Sequence, residues 1–149
     1  MSPHAQKIVA IVQQAAHAHH AFERQGPGAG NRVTNAVMAE ANRLVAEKFG
    51  DGVAEVTLVD GIAQSIDFYL TETSEAIEVE LSLSNPYPCL EKDAFKLLLA
   101  KNSGRSVKRL VLVGDPGSSR RMSAPAPTAI IDYLRRQHAL EVEICELLP

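Results

Sequence analysis

The sequence predicts an α/β fold, in which an antiparallel three-strand meander is extended by further strands into a mixed sheet flanked by helices. Three observations lead there. Apolar residues recur at helical spacing in four stretches, around residues 8–22, 33–45, 90–99 and 130–134. Between residues 53 and 82, three short runs alternate apolar with polar side chains and are separated by tight-turn residues. Val107–Val113 is mostly apolar, as a strand covered on both faces should be.

Taken in order, Ser2 and Pro3 form a helix start, with Ser as cap and Pro in the first turn. The stripe Ile8, Ile11, Val12, Ala15, His19, Phe22 carries that helix to about Arg24. His17, His19 and His20 have no adjacent carboxylate or Cys and read as solvated or partly buried side chains rather than metal ligands. Gly26–Gly30 breaks the chain and reads as a flexible joint over residues 26–31. It is not a phosphate loop, because Asn31 and Arg32 stand where Lys and Ser or Thr are needed. A second helix follows from about Arg32 to Phe49, with Val33, Val37, Ala41, Leu44 and Val45 inward, and Gly50 ends it. Glu40 lies at the margin of that stripe, either solvated or leaning into a cleft.

Val53 to about Asp60 suggests the first strand, and Asp60-Gly61 is a hairpin signal. The next two strands lie within Gln64–Asn85, and Pro86 and Pro88 stop the third. A helix from about Leu90 to Asn102 buries Leu90, Ala94, Leu97 and Leu98, with Phe95 and Leu99 widening its apolar face. Lys92 and Lys96 stand one turn apart at its edge. The buried strand ends in a stretch from Gly114 to Pro127 that is too long for a mere connector. Thr128–His138 forms a last helix, and Leu140, Val142 and Ile144 mark a final edge strand.

The 149 residues fit one domain with its own core. A net charge of -3 gives no overall attraction to nucleic acid or anionic membrane, so phosphate contacts would need a local basic patch. Cys89 and Cys145 lack CxxC spacing and read as reduced thiols. With no signal peptide or long apolar run, the expectation is a soluble, cytoplasmic protein without a membrane partner.

The clearest chemical signal is the acidic hairpin. Ile66, Phe68 and Leu70 alternate with Asp67, Tyr69 and Thr71, and Ile77, Val79 and Leu81 with Glu78, Glu80 and Ser82. A turn centred on Thr73 and Ser74 sets Asp67 opposite Glu80, with Glu78 one diagonal step away. Three carboxylates on one face repel unless a cation or a proton sits among them. The plainer alternative is a polar face on which Glu78 and Glu80 pair with Lys92, Lys96 or Arg109.

The order helix, three-strand meander, helix, buried strand, over about Arg32 to Val113, resembles the core of the PD-(D/E)XK nuclease-like (restriction endonuclease-like) superfamily. Asp67 stands where that family carries the first acid of its motif, and Glu78-Val79 fits the next two positions. Glu80 stands in place of the motif lysine; some members have Glu or Gln there, and others supply the lysine from the following helix, where Lys92 and Lys96 lie. Glu40 is similar to a carboxylate that some members carry before the meander. The resemblance implies a metal-dependent endonuclease acting on DNA, with Mg2+ or Mn2+ bound between Asp67 and Glu78. Glu80 would hold a second ion or accept a proton, and Lys92 or Lys96 would orient water or offset phosphate charge. Arg105, Lys108, Arg120 and Arg121 are the candidate contacts to a nucleic-acid backbone. Cutting both strands implies a homodimer, for which the stripe of the first helix is the suggested contact. A nuclease-like fold that binds or scaffolds without cutting, or an unrelated α/β domain, are the alternatives.

Overall fold

The computed structural model describes residues 1–23, 29–61, 64–82 and 85–149. Its elements are α1 (Pro3–Ala18), α2 (Ala29–Phe49), β1 (Ala54–Thr57), β2 (Ser65–Leu70), β3 (Glu75–Glu80), α3 (Pro86–Asn102), β4 (Arg109–Gly114), α4 (Ser118–Met122), α5 (Pro125–His138) and β5 (Glu141–Glu146). The five strands form one mixed sheet in chain order, β1-β2-β3-β4-β5. The first three are antiparallel neighbours, whereas β4 runs parallel to β3 and β5 parallel to β4. A parallel neighbour needs a crossover, which α3 supplies between β3 and β4, and α4 with α5 between β4 and β5.

Strand alternation divides the core in two. On one face Phe68, Leu70, Ile77, Val79, Val111 and Val113 pack with Ile8, Val12 and Ala15 of α1 and Val37, Ala41 and Val45 of α2. On the other, Tyr69, Ala76, Leu110 and Leu112 pack with Leu90, Ala94 and Leu97 of α3 and Leu134 of α5. Both faces of β4 are therefore covered, as its unbroken apolar run requires. Among the described residues, no helix is long and apolar enough to cross a membrane.

Local signals explain most boundaries. The Ser2 hydroxyl accepts a hydrogen bond from the Ala5 N–H at 3.2 Å, capping α1 above Pro3. Gly50, at φ +89°, ends α2 in the left-handed conformation. Of the predicted Gly/Pro joint, residues 26–28 lie outside the described residues, while Gly30 and Asn31 belong to α2.

Several expectations need correcting. The helix expected from about Leu90 starts at Pro86, because in a first turn the missing proline N–H forfeits no helical bond. Phe95, expected on its apolar face, is 61% exposed. The long stretch after β4 contains a short helix, α4. The apolar stripe of α1, suggested as a dimer contact, is spent within the chain: Ala5, Ile8, Ile11, Val12, Ala15 and Ala16 are all buried.

The hairpin register also differs. Leu70 pairs with Glu75, Tyr69 with Ala76 and Phe68 with Ile77, around a turn of residues 71–74. One step further along that register, Asp67 faces Glu78 rather than Glu80. The cause lies at the turn. Ser74 adopts a left-handed φ of +57°, and Glu75 is drawn into the sheet. There its carboxylate accepts from the Ser2 N–H at 2.9 Å, the Thr73 hydroxyl at 2.8 Å and the Arg109 guanidinium at 3.2 Å.

Candidate functional site

The antiparallel ladder between β2 and β3 stops at Phe68 and Ile77, and beyond it a side chain takes over. The Asp67 carboxylate accepts the Val79 N–H at 2.8 Å, which fixes it on the face of the hairpin where Glu78 stands opposite. Glu78 is only 5% exposed. Two carboxyl groups facing each other in such a place need a proton or a cation between them.

Helix α3 crosses this end of the sheet and brings its own charges. The 92/96 spacing puts both lysines on one flank. Lys96 Nζ lies 2.5 Å from Glu78 Oε1, 3.1 Å from Asp93 Oδ1 and 3.2 Å from the Ser65 carbonyl, with 12% of its side chain exposed. Lys92 is more open and lies 3.0 Å from Glu80 Oε1 and 3.5 Å from Asp93 Oδ1. Asp93, between them, is fully buried.

Four carboxyl groups thus meet two ammonium groups, so the fully ionised cluster is short of positive charge. Its protonation equilibria reflect that. Burial, reinforced by Asp67 and Asp93, pushes Glu78 up to about 8 against the pull of Lys96. Burial likewise raises Asp67, opposed by the Val79 N–H, Glu78 and Lys96. It raises Asp93 too, opposed mainly by Lys96 and Lys92. For Lys96, burial favours the neutral form, but the Glu78 and Asp93 carboxylates outweigh it and keep the ammonium charged. Perturbed groups converging from three elements are the pattern expected of a functional site.

Of the residues predicted from the sequence, the fold gathers Asp67, Glu78, Glu80, Lys92 and Lys96. Glu40 is not brought to them. It sits on α2, in the helical layer over the opposite face, and pairs with Arg43 at 2.9 Å. Lys108 precedes β4 at the other end of the parallel strands, and so does the Arg105 backbone, although the Arg105 guanidinium reaches the Leu58 carbonyl at 3.2 Å, just past the β1 end that pairs with Ser65. The Lys108 N–H bonds the Ser74 carbonyl at 2.8 Å, four residues from Glu78, so it stands roughly 13 Å along the sheet from the acids. Arg120 and Arg121, in α4, follow the end of β4 that aligns with Glu80. Arg120 is exposed, whereas Arg121 is tied to Asp115 at 2.5 Å. Both cysteines are free thiols, Cys89 in α3 and Cys145 in β5.

Asp93 was not among the predicted site residues. A signal for it exists in the sequence, since Leu90, Asp93, Ala94 and Leu97 fall on one helical stripe and the acid interrupts an otherwise apolar face.

Among the described residues, no group of three His, Cys, Asp or Glu side chains is arranged to hold a metal ion. Glu80 is drawn off by Lys92, leaving Asp67 and Glu78 as the oxygen pair. A pair is sufficient for a hard cation of the Mg2+ type, which commonly takes one or two carboxylates and keeps several waters. Their all-oxygen donor set and unbalanced negative charge fit such an ion.

No protein-family model matches this chain, and neither a curated protein nor a solved structure matches it.

Proposed function

We propose that this protein is a divalent-metal-dependent phosphodiesterase, an endonuclease acting on DNA, with a restriction endonuclease-like core of the PD-(D/E)XK type. The observation that carries the reading is Asp67, held by the Val79 N–H, set opposite Glu78 in a largely buried site onto which α3 delivers the Lys96 ammonium. The element order from α2 to β4 supports it, and DNA as the substrate rests on the resemblance of that order and motif. Asp67 and Glu78 would hold Mg2+ or Mn2+. When bound, the ion supplies Lewis acidity toward a phosphoryl oxygen and a lowered pKa for an attacking water.

The chain's own groups divide the remaining tasks. The Val79 N–H fixes the Asp67 carboxylate, so its orientation costs nothing at the moment of reaction. Lys96 stands in for the motif lysine that Glu80 replaces, orienting the water or offsetting charge developing on phosphate. Glu80, 24% exposed and paired with Lys92, would be the group to accept a proton from the water. Arg120 is the exposed basic group that follows the acid end of β4, Arg105 would meet a substrate along the β1 edge, and Lys108 would serve only one that runs the length of the sheet.

The test is nicking of supercoiled plasmid with Mg2+ or Mn2+. The wild type cuts, and Asp67→Ala loses at least about a hundredfold in rate, as expected for loss of a metal ligand. Metal-independent nicking, or nicking that survives Asp67→Ala, refutes the proposal. A second reading, a nuclease-like module that binds without cutting, is favoured by the Glu78–Lys96 and Glu80–Lys92 ion pairs and expects no cleavage at all.

A further inference from the structure

Asp93 has no exposed surface, and neither of its carboxylate oxygens has a hydrogen-bond partner among the described residues. Lys96 and Lys92 come within ion-pair reach, at 3.1 and 3.5 Å, but without hydrogen-bond alignment. A buried carboxylate in that condition is costly. Packing does not call for it: its stripe neighbours Leu90, Ala94 and Leu97 are apolar, and another apolar side chain would suit the position better.

The neighbouring ammonium gives Asp93 a use. Lys96 is bonded to Glu78, the same carboxylate that a cation at Asp67 and Glu78 would require. The ion and the ammonium compete for that oxygen and repel each other. Solvent is a poor refuge for Lys96, because its side chain is 12% exposed and its ammonium is also bonded to the Ser65 carbonyl. The nearest carboxylate with open acceptor sites is Asp93.

We infer that Asp93 is a positioning residue for Lys96: it receives the ammonium when a divalent cation occupies Asp67 and Glu78, and holds that positive charge beside the reacting phosphate. This rests on the proposed function, since it presupposes the cation. It adds a residue to the site and has Lys96, here 2.5 Å from Glu78 and 3.1 Å from Asp93, give up Glu78 and settle on Asp93 when the ion binds.

Calorimetric titration of the full chain with Mn2+ separates the two ideas. Asp93→Asn should weaken binding roughly tenfold, because Lys96 then stays on Glu78; Lys96→Gln should tighten it by a similar factor. In the Lys96→Gln background, the Asp93 substitution should change affinity by less than about twofold, because no ammonium remains to be received. Asp93→Leu, which suits the apolar stripe, should behave as Asp93→Asn does and guards against a folding defect in either variant. Unchanged affinity in both Asp93 variants overturns the inference. So does a loss that persists undiminished with Lys96→Gln, which would make Asp93 a ligand itself. If neither the wild type nor Lys96→Gln binds Mn2+, the proposed function falls and the inference with it, an outcome distinct from the other two.

Discussion

Glu75 and Glu78 stand three residues apart on β3, 3% and 5% exposed, yet their surroundings treat them in opposite ways. At Glu75, burial opposes ionisation, but the hydrogen bonds from Ser2 and Thr73 and the charge of the N-terminus outweigh it, and the carboxyl is held below its ordinary range. At Glu78, burial acts with Asp67 and Asp93, and the single ammonium of Lys96 does not compensate. Burial of an acid therefore does not by itself mark a functional site. What separates the two ends of β3 is whether the fold finishes the charge balance or leaves it open.

The largest effect expected from this contrast is on stability. Glu75→Gln removes an ionised partner and leaves the Ser2 N–H and Arg109 without it, costing about 3 kcal/mol. In a thermal melt at neutral pH this is a fall in Tm of about 10 °C. Glu78→Gln removes a charge that its surroundings oppose rather than balance, so its stability should stay within about 1 kcal/mol of the wild type, while Mn2+ binding disappears. Equal losses from the two substitutions would erase the distinction. Smaller still is the effect of Lys92→Gln, which breaks a half-exposed pair with Glu80 and should cost under about 1 kcal/mol by the same melt.

The same two regions show what could be read from the sequence. The order of elements followed from apolar periodicity and turn residues, because those signals are local. That Asp67, Glu78 and Glu80 share one face of the sheet, with Lys92 and Lys96 on the edge of the next helix, was legible as soon as two alternating strands and a helical edge were recognised. The register was not. It depends on Ser74 taking a left-handed conformation and on Glu75 finding partners at Ser2 and Arg109, distant in sequence and brought close only by folding. Asp93 was missed for a related reason: one acid on an apolar stripe stands out only when its stripe is read as buried. Glu40 failed the other way, its helical-wheel position being compatible with a cleft although α2 packs on the opposite face.

The most direct test of the central claim, that this end of β3 holds unbalanced negative charge suited to a cation, is a carbon-13 titration of the glutamate carboxyl groups, with the Glu78 signal assigned by its absence in Glu78→Gln. The account predicts a midpoint near 8 without divalent ions. Because a cation favours the ionised form, saturating Mg2+ should move that midpoint down, toward the ordinary glutamate value of 4.5. A Glu78 carboxyl that titrates near 4.5 from the start, and that Mg2+ leaves unchanged, would contradict it.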